Sequence, residues 1–336
     1  MEPRTKRRMA SILRVLREAG EPAGGQFISE KLRLSGIDMN ERTVRNYLAE
    51  TDARGWTVNL RRRGRSLTEA GISELDSALI IDKVGFVSAR ADALAYEMTF
   101  DPYTGMGKVI LNISTVAAEH ARSAVTEILK VYKAELGMGR KLAVATAGHW
   151  IGDYQVPEGR FALGTICSMS LNGAFLQANI ATTSRFGGLL QLEQGKPERF
   201  TQIINYDGSS LDPLEIFIQG RMTSVAQAAA TGFGVVGASF REIPVVAVAE
   251  AEKLSDKLKE IGLGGIFAMG RPNQPLLDIP VQPGRAGLIV CGGLNTLAAV
   301  EERGISTENS AMGALCPFDD LVDYTVLYQL ARGRDI

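Results

Sequence analysis

The spacing of apolar residues predicts three helices followed by a strand at the start of the chain. Apolar positions recur with helical periodicity over residues 5–19 and 26–34, and Ser35-Gly36 supplies a turn before a third helix that begins after Asn40. Residues 56–60 then alternate between the two faces of a strand and lead into a basic segment. The order of helix, helix, turn, helix and wing is that of a winged helix-turn-helix domain.

The third helix has an apolar face and a face suited to reading DNA bases. Val44, Tyr47 and Leu48 point inwards, and Met39 can pack on Val44 as a hydrophobic staple. The Asn40 side chain is a suitable N-cap, because its oxygen can accept a hydrogen bond from the first turn. On the other face, arginine and asparagine can bind guanine and adenine bidentately in the major groove. The candidate DNA-binding residues on this helix and on the basic tip of the wing are Arg42, Thr43, Arg45, Asn46, Arg61, Arg62, Arg63 and Arg65.

We assign residues 1–67 to this domain, residues 68–81 to a linker helix capped by Thr68, and residues 82–336 to a larger body. In the body, strands are predicted at residues 94–101, 108–113, 141–147, 188–193, 214–218, 235–239, 245–248, 265–269 and 286–291, with a hairpin turn at Asn172-Gly173. Helices are predicted at residues 114–137, 223–231, 249–261 and 295–303. We therefore expect an α+β multidomain protein whose body is mixed α/β, with mixed sheets favoured over purely parallel ones.

Two segments of the body share one pattern without a gap. Ile216 to Gly232 and Leu288 to Gly304 each read as an apolar strand, a glycine turn, a polar N-cap residue, an alanine-bearing helix and a terminating glycine. This pattern predicts an internal repeat, with two copies of one supersecondary unit related by a two-fold axis.

The glycine turns of the repeat are candidate anion sites. A glycine turn that opens a helix exposes backbone N–H groups, and the helix dipole favours an anion there. Two such turns facing one cleft would bind a small dicarboxylate, and Arg221 could add a bidentate charge. The alternative is that the glycines only allow tight packing of strand against helix. The candidate effector-binding residues are Gly220, Arg221, Thr223, Ser224, Gly292, Gly293, Asn295 and Thr296.

Charge is distributed unevenly over the 336 residues, whose formal net charge is −1. Residues 1–66 carry 15 basic and 8 acidic side chains, whereas the remaining residues carry 22 and 30. A basic domain joined to an acidic body indicates that only the N-terminal domain contacts a polyanion such as double-stranded DNA.

Other residue patterns argue against several classes of protein. The three cysteines include no CxxC pair, which argues against a disulfide framework and a zinc site. No apolar run approaches the roughly 18 residues that span a bilayer, and the charged N-terminus lacks the apolar segment of a signal peptide. We therefore expect a cytoplasmic protein without a membrane segment.

Enzyme signatures are missing from the sequence. It contains no GxSxG elbow, no HExxH motif, no P-loop and no Rossmann fingerprint. His120 and His149 are the only histidines, and neither has a cysteine or carboxylate at ligand spacing. We therefore predict no catalytic residues, no metal site and no cofactor, and we favour a binding function over catalysis.

Several short motifs follow one another between Asp82 and the C-terminus. They are Gly164-Thr165-Ile166-Cys167-Ser168, Phe186-Gly187-Gly188, Asp212 to Ile218, Met222 to Val225, Phe240 to Pro244, Gly270 through Pro280, Gly292 to Asn295 and Ala298-Ala299. In this order they resemble the regulatory domain of the NrpR family of nitrogen-regulatory repressors. The winged helix, of a type also seen ahead of some ribonucleases, is similar to the DNA-binding domain of that family. The resemblance implies a repressor that releases operator DNA when 2-oxoglutarate, the nitrogen-starvation signal, binds the regulatory domain.

We therefore predict a homodimeric winged-helix repressor, dimerised through its body and controlled by a small dicarboxylate, with 2-oxoglutarate as the first candidate. Two alternatives stay open at this point. One is a co-regulator that contacts another transcription factor or a polymerase, which weak, sequence-independent binding to duplex DNA would favour. The other is a small-acid metabolic enzyme with an appended DNA-binding domain, which turnover of keto acids would reveal.

Overall fold

A computed structural model describes residues 3–34, 37–75 and 86–332 of the chain. The chain separates into two compact units, residues 1–85 and 86–336. The predicted turn Ser35-Gly36 and the predicted linker helix beyond residue 75 lie outside the described residues.

The first unit has the predicted winged-helix order. Its elements are α1 (Pro3–Ala19), α2 (Gly25–Leu34), α3 (Glu41–Ala53), β1 (Thr57–Asn59), β2 (Arg65–Leu67) and a helix over residues 69–75 (α4). β1 and β2 pair antiparallel as a wing. Apolar residues of α1, α2 and α3 form one buried cluster that holds the three helices together.

α3 begins as the sequence predicts. Asn40 has an extended backbone, and its side-chain oxygen accepts a hydrogen bond from the Thr43 N–H at 2.9 Å. Met39 and Val44 are both buried in the core of this unit, as the predicted staple requires. Thr68 caps α4, whose backbone donates to the Thr68 hydroxyl at 3.0 Å. Local capping chemistry therefore sets where these two helices start.

The second unit is built from antiparallel sheets and helices. Its helices are α5 (Val87–Glu97), α6 (Ala121–Lys133), α7 (Met169–Gln177), α8 (Pro213–Gln219), α9 (Val225–Thr231), α10 (Val248–Glu260), α11 (Asn295–Glu302) and α12 (Leu327–Ala331). Its strands are β3 (Lys108–Ala117), β4 (Lys141–Thr146), β5 (Trp150–Ile151), β6 (Tyr154–Gln155), β7 (Arg160–Ile166), β8 (Thr183–Glu193), β9 (Lys196–Asn205), β10 (Gly234–Pro244), β11 (Ile266–Met269), β12 (Arg285–Cys291), β13 (Thr307–Pro317) and β14 (Val322–Asp323).

Ten strands in the described part of this unit form two five-stranded sheets, and β5 and β6 pair with each other. The orders of the two five-stranded sheets are β11-β12-β10-β8-β9 and β13-β3-β7-β4-β14. Every strand pair in the described residues is antiparallel, so the preference for mixed sheets was wrong. One buried cluster joins apolar residues of both sheets with those of α5, α7 and α10, while α6, α11 and α12 cover the other side of β3 and β7.

The first half of residues 94–101, predicted as a strand, is helical, whereas Met98 and Phe100 in the second half are buried as the alternation predicts. α5 extends to Glu97 and buries Ala91 and Ala95, which lie four residues apart. Tyr96, an apolar position of the predicted strand, is 83% exposed. In the helical half, burial is therefore carried by small alanines at helical spacing, and the exposed Tyr96 only imitates a period of two.

Two further segments are helical where other structure was predicted. The strand at residues 214–218 is helix α8, because the Asp212 carboxylate caps it by accepting from the first free N–H groups. The hairpin turn at Asn172-Gly173 lies inside α7. A Cβ added at Gly173 would come within 2.6 Å of the Met98 side chain, so this glycine permits close packing rather than a turn.

The predicted helix at residues 114–137 is shorter than expected. β3 continues to Ala117, because residues 114–116 pair with β13 on one side and β7 on the other. α6 then begins at Ala121. The predicted strand at residues 245–248 is a 3-10 turn that joins β10 to α10. The other predicted elements of the body overlap β3, β4, β8, β10, β11, β12, α9, α10 and α11.

The second unit contains an internal repeat, but the two segments that suggested it are not its two copies. Residues 216–219 belong to α8, so Ile216–Gly232 begins with a helix whereas Leu288–Gly304 begins with strand β12. Only their second halves agree, because α9 and α11 both end beside a left-handed glycine, Gly232 (φ 78°) and Gly304 (φ 80°).

The repeated unit is a strand, helix, strand, strand, helix and strand. β3, α6, β4, β7, α7 and β8 form the first copy, and β10, α10, β11, β12, α11 and β13 form the second. The strands follow the same order in both sheets, β4-β7-β3-β13 and β11-β12-β10-β8. The last strand of each copy therefore lies in the sheet of the other copy, which ties the two halves together.

Equivalent contacts fasten the second helix of each copy to its central strand. The Ser170 hydroxyl accepts from the Ile110 N–H at 3.0 Å and donates to the Ile110 carbonyl at 2.8 Å. The Asn295 side chain accepts from the Gly237 N–H at 2.8 Å and donates to the Gly237 carbonyl at 2.9 Å. The counterpart of the turn before α11 is therefore the turn before α7.

Candidate DNA-binding surface and effector site

One face of α3 carries the residues predicted to read bases. Arg42, Arg45 and Asn46 are exposed, whereas Val44 on the opposite face is fully buried. Arg45 Nη2 lies 2.5 Å from Glu41 Oε1, one turn earlier on the same helix. An exposed pair of this kind contributes less than about 1 kcal/mol, so Arg45 can exchange Glu41 for a DNA base at small cost.

The tip of the wing is basic and exposed. Arg61, Arg62 and Arg63 form a 3-10 turn, and all three side chains lie on the surface. Gly64 closes the turn with φ 95°, and an added Cβ would lie 2.5 Å from the Ala23 carbonyl carbon. Glycine is therefore needed for the wing to pack against the chain that precedes α2, and this packing holds the three arginines on one turn.

Arg65 lies at the base of the wing and not at its tip. Its Nε donates to Asp52 Oδ2 at 2.8 Å, and its side chain is only 19% exposed. Its backbone pairs with Ala23 in both directions. The guanidinium of Arg65 therefore ties the wing to the end of α3, which differs from its predicted grouping with the phosphate-binding arginines. Thr43 is half-buried, and its backbone serves the N-cap of α3.

The first predicted effector turn already binds a carboxylate of the chain. Glu302 Oε1 accepts from Thr223 Oγ1 and from the Val225 N–H, both at 2.7 Å, and its Oε2 accepts from the Ala226 N–H at 2.8 Å. The N-terminus of α9 therefore attracts an anion as expected, and the anion is the last residue of α11.

The other predicted residues of this turn have separate environments. Gly220 is the C-cap residue that follows α8, and Arg221 is exposed with φ 51°. Ser224 Oγ accepts from the Val235 N–H at 2.7 Å, which joins the turn to β10. Arg221 is thus the one charged side chain of this turn that faces solvent.

The second predicted turn is buried and tightly packed. The Gly292 N–H donates to the Gly237 carbonyl at 2.9 Å, and the Asn295 side chain accepts from and donates to the backbone of the same residue. A Cβ at Gly293 would lie 2.3 Å from the Ile166 carbonyl oxygen. The Thr296 hydroxyl is buried and has no hydrogen-bond partner among the described residues. For Gly292 and Gly293 the close-packing alternative therefore holds.

The two turns do not face one cleft. The first contacts Glu302 at the C-terminal end of α11, and the second precedes Asn295 at its N-terminal end. An eight-residue helix is about 12 Å long, so the turns are separated by that element. A single small dicarboxylate cannot contact both of them in this arrangement.

A buried arginine lies close to the turn before α7. Arg241 on β10 is completely buried, and its Nη1 donates to the Ser168 carbonyl at 2.8 Å and to Asn172 Oδ1. Its Nη2 lies 3.3 Å from Ser239 Oγ on the same strand face, and its Nε has no partner among the described residues. Tyr206 is buried in the same cluster, and burial raises the pKa of its hydroxyl. The hydrogen-bond partners of the guanidinium are therefore neutral groups, and the buried carboxyl of Asp212 lies near Tyr206 and Cys167 of the same cluster.

The electrostatics of this cluster are unusual for a protein interior. In the described part of the chain no carboxylate forms an ion pair with Arg241, since the neighbouring Glu242 pairs with Arg185 at 2.7 Å. Burial lowers the pKa of Arg241 and raises that of the Cys167 thiol to about 12. A buried charge without an ion-pair partner is rare, because burial removes its hydration without supplying an opposite charge in contact.

A cleft of about 730 Å³ opens between the loops that follow α6 and α10. Its lining mixes signs, because Lys133 and Lys259 lie with Glu252 and Asp256. A dianion gains little from such a balanced surface. The cleft is therefore a weaker candidate for a dicarboxylate than a site with unpaired positive charge.

The comparisons with known proteins agree with this two-unit architecture. Residues 84–323 match the family model of the NrpR regulatory domains NRD1 and 2, and residues 10–75 match that of the ribonuclease R winged-helix domain. The chain belongs to the NrpR family. Its resemblance to that family, first seen in short motifs, is thereby confirmed.

Relatives of this NrpR-family chain are named as nitrogen regulators. Global nitrogen regulator NrpRI of Methanosarcina mazei is 33% identical over 330 residues, which cover 98% of this chain and all of the relative. Global nitrogen regulators NrpR of Methanococcus maripaludis and Methanocaldococcus jannaschii are 29% and 28% identical over 89% and 98% of this chain. The chain spans about half the length of these last two, 52% and 56%.

A solved structure supports the NrpR assignment. The crystal structure of a nitrogen repressor-like protein from Methanococcus jannaschii superposes with a TM-score of 0.60 at 29% identity, covering 70% of this chain and 97% of that one. In the described part of the chain, no helix is long and apolar enough to cross a membrane. No cluster of three or more metal-ligating side chains occurs there either.

Sequence reasoning missed two residues of the regulatory unit. Arg241 belongs to the motif Phe240 to Pro244, which carries the NrpR resemblance. A charged residue so soon after the apolar strand predicted at residues 235–239 could have marked it. Glu302 gave no such signal, because an acidic residue near a helix end is common on surfaces. Its partners lie 76 to 79 positions away in the chain.

Proposed function

We propose that the chain is a transcriptional repressor of nitrogen regulation that binds operator DNA through α3 and the wing. The observation that carries this proposal is the exposed face with Arg42, Arg45 and Asn46 on a capped helix, within a chain of the NrpR family. Arginine and asparagine are the side chains that read guanine and adenine in the major groove. The family relationship supports a regulatory role and gives no support to an enzymatic one.

The wing supplies the sequence-independent part of the contact. Arg61, Arg62 and Arg63 approach the phosphates or the minor groove, while Arg65 holds the wing in position. The chain acts as a homodimer, so two copies of α3 occupy half-sites about one helical turn, roughly 10 base pairs, apart. The operator is therefore a pseudo-palindrome.

A small dicarboxylate controls this binding, with 2-oxoglutarate as the first candidate. The ligand binds in the unit of residues 86–336, which matches the regulatory domains of the family. Binding shifts the protein towards a form with lower operator affinity, and the shift cannot exceed the difference in ligand affinity between the two forms. No other cofactor takes part.

The test is fluorescence anisotropy with labelled DNA from the chain's own upstream region. Unlabelled scrambled DNA serves as the control for specificity. The bound complex is then titrated with millimolar 2-oxoglutarate, and succinate is the control ligand. We expect specific binding that 2-oxoglutarate weakens. Equal affinity for scrambled DNA would contradict the repressor proposal, and specific binding without a response would contradict the effector proposal alone.

A further inference from the structure

We infer that Glu41, at the start of α3, is a specificity-determining residue that accepts a hydrogen bond from the amino group of a cytosine in the operator. This inference rests on the proposed function, in which α3 binds operator DNA. It goes further because it gives a base-reading role to an acidic side chain that lies outside the predicted set of DNA-binding residues.

The first support is the position of the carboxylate. Glu41 directly follows the Asn40 cap and is the acidic residue of the first turn of α3. The N-terminal residues of a recognition helix are those that contact base edges in the major groove. The Glu41 side chain is 41% exposed there. A negative charge at this place is repelled by DNA phosphates, so it favours binding only where a base supplies a hydrogen-bond donor.

The second support is the ion pair with Arg45. Glu41 Oε1 lies 2.5 Å from Arg45 Nη2. When Arg45 turns to the two acceptors of a guanine, the carboxylate loses this partner. The donors in the major groove are the amino groups of cytosine and adenine, and glutamate pairs with that of cytosine. Transfer of Arg45 from Glu41 to guanine is therefore most favourable where a cytosine lies next to that guanine.

The third support is the space that α2 leaves for both side chains. A Cβ added at Gly25 would lie 3.1 Å from Arg45 Cγ and 3.5 Å from Glu41 Cγ. The aliphatic parts of the two side chains therefore pass beside the start of α2. This packing restricts their rotamers and holds their charged ends together, so less conformational entropy is lost when they bind bases.

A second ion pair on the same helix provides a matched control. Glu50 and Arg54 are also four residues apart, with Glu50 Oε1 2.8 Å from Arg54 Nη2 and side chains 40% and 39% exposed. They lie at the C-terminal end of α3, where the Arg54 guanidinium is 5.2 Å from the centre of the Trp56 ring. We therefore expect Glu50 to contact no base.

The decisive variant is Glu41→Gln in the full chain, compared with Glu50→Gln. Each substitution removes one negative charge from α3 and preserves the length of the side chain. Gly25→Ala is a second variant, which leaves every charge in place and displaces the pair of Glu41 and Arg45. Gly24→Ala is its control, because a Cβ there would meet no atom within 4 Å. Thermal unfolding of each variant checks that the first unit is folded.

The measurement is fluorescence anisotropy at constant salt with the chain's own upstream DNA, with scrambled DNA, and with upstream DNA in which each cytosine in turn is replaced by adenine. We expect Glu41→Gln to reduce the preference for cytosine at one position by at least about fivefold, because glutamine pairs with adenine instead. Gly25→Ala should reduce the preference at the same position. Glu50→Gln and Gly24→Ala should retain it.

The outcomes separate this inference from the proposed function. If Glu41→Gln keeps the cytosine preference of the wild type at every position, the inference is overturned and the repressor proposal stands. If Glu41→Gln and Glu50→Gln raise the affinity for all sequences alike, only net charge has acted, and the inference is again overturned. If the wild type binds upstream and scrambled DNA equally, the proposed function fails and the inference fails with it.

Discussion

Replacing Glu302 tests how much the chain's own carboxylate contributes to the stability of the regulatory unit. Glu302→Ala removes the acceptor of three hydrogen bonds, from the Thr223 hydroxyl and from the N–H groups of Val225 and Ala226. It also removes the negative charge at the start of α9 and the connection between α9 and the end of α11. The substitution therefore affects one junction of two helices.

The magnitude follows from the partners. A hydrogen bond to a charged group contributes about 1.5–3 kcal/mol, and loss of an N-cap acceptor costs about 0.5–2 kcal/mol. Val225 and Ala226 are buried, whereas Glu302 is half-buried, so water can replace part of what is lost. We expect Glu302→Ala to lower the free energy of unfolding of this unit by about 2–4 kcal/mol, and Glu302→Gln, which keeps an acceptor, by about 1 kcal/mol.

Urea denaturation followed by circular dichroism measures the loss, and hydrogen exchange of α9 locates it. Glu198→Ala is the control, because Glu198 is exposed on β9 and its replacement should cost less than about 0.5 kcal/mol. A loss for Glu302→Ala no larger than that of the control, or unchanged protection of α9, would refute the reasoning.

Three further predictions concern pH, the wing and DNA. Burial raises the pKa of Asp212 from 3.8 to about 6, so the folded state binds this proton more tightly and the free energy of unfolding falls as pH rises from about 4 to 6. Asp212→Asn keeps the cap and should recover up to about 3 kcal/mol of this loss, measured by denaturation at pH 7. Wild type and variant with the same dependence of stability on pH would count against this reasoning. Gly64→Ala should destabilise the first unit by at least about 2 kcal/mol, more than Gly20→Ala, whose left-handed glycine has open space around it, and equal melting temperatures would contradict the clash. Arg45→Ala should cost about 1–3 kcal/mol of DNA-binding free energy at one base position, whereas Arg62→Ala should weaken binding to all sequences alike and flatten its salt dependence. Anisotropy on variant operators tests both, and loss of specificity with Arg62→Ala but not with Arg45→Ala would contradict these roles.

Local signals explain why the first unit was predictable. Asn40 caps α3 through a contact three residues away, and Thr68 caps α4 in the same manner. Apolar periodicity then placed Val44 and Leu48 in the core, where both are fully buried. Arg65 was the exception, since its partner Asp52 lies on another element and spacing along the chain gave no sign of the pair.

Local signals were less informative in the second unit. Asn172-Gly173 and residues 214–218 have the composition of a turn and a strand, yet both are helical because of packing on Met98 and capping by Asp212. Similarly, the predicted repeat was based on segments that share composition. The observed copies instead share contacts, such as those of Ser170 and Asn295 with their central strands.

Periodicity, caps and short ordered motifs were enough to predict the winged helix and the family, and residue counts alone gave the uneven distribution of charge. Only the three-dimensional structure shows which strands pair, how the two halves exchange their last strands, and which buried charge has no opposite charge in contact. Arg241 is buried, and Glu302 accepts hydrogen bonds from the start of α9, only because segments distant in the chain pack together. Pairing, burial and counter-charge depend on three-dimensional neighbours, and for this reason a pattern along the chain could not reveal them.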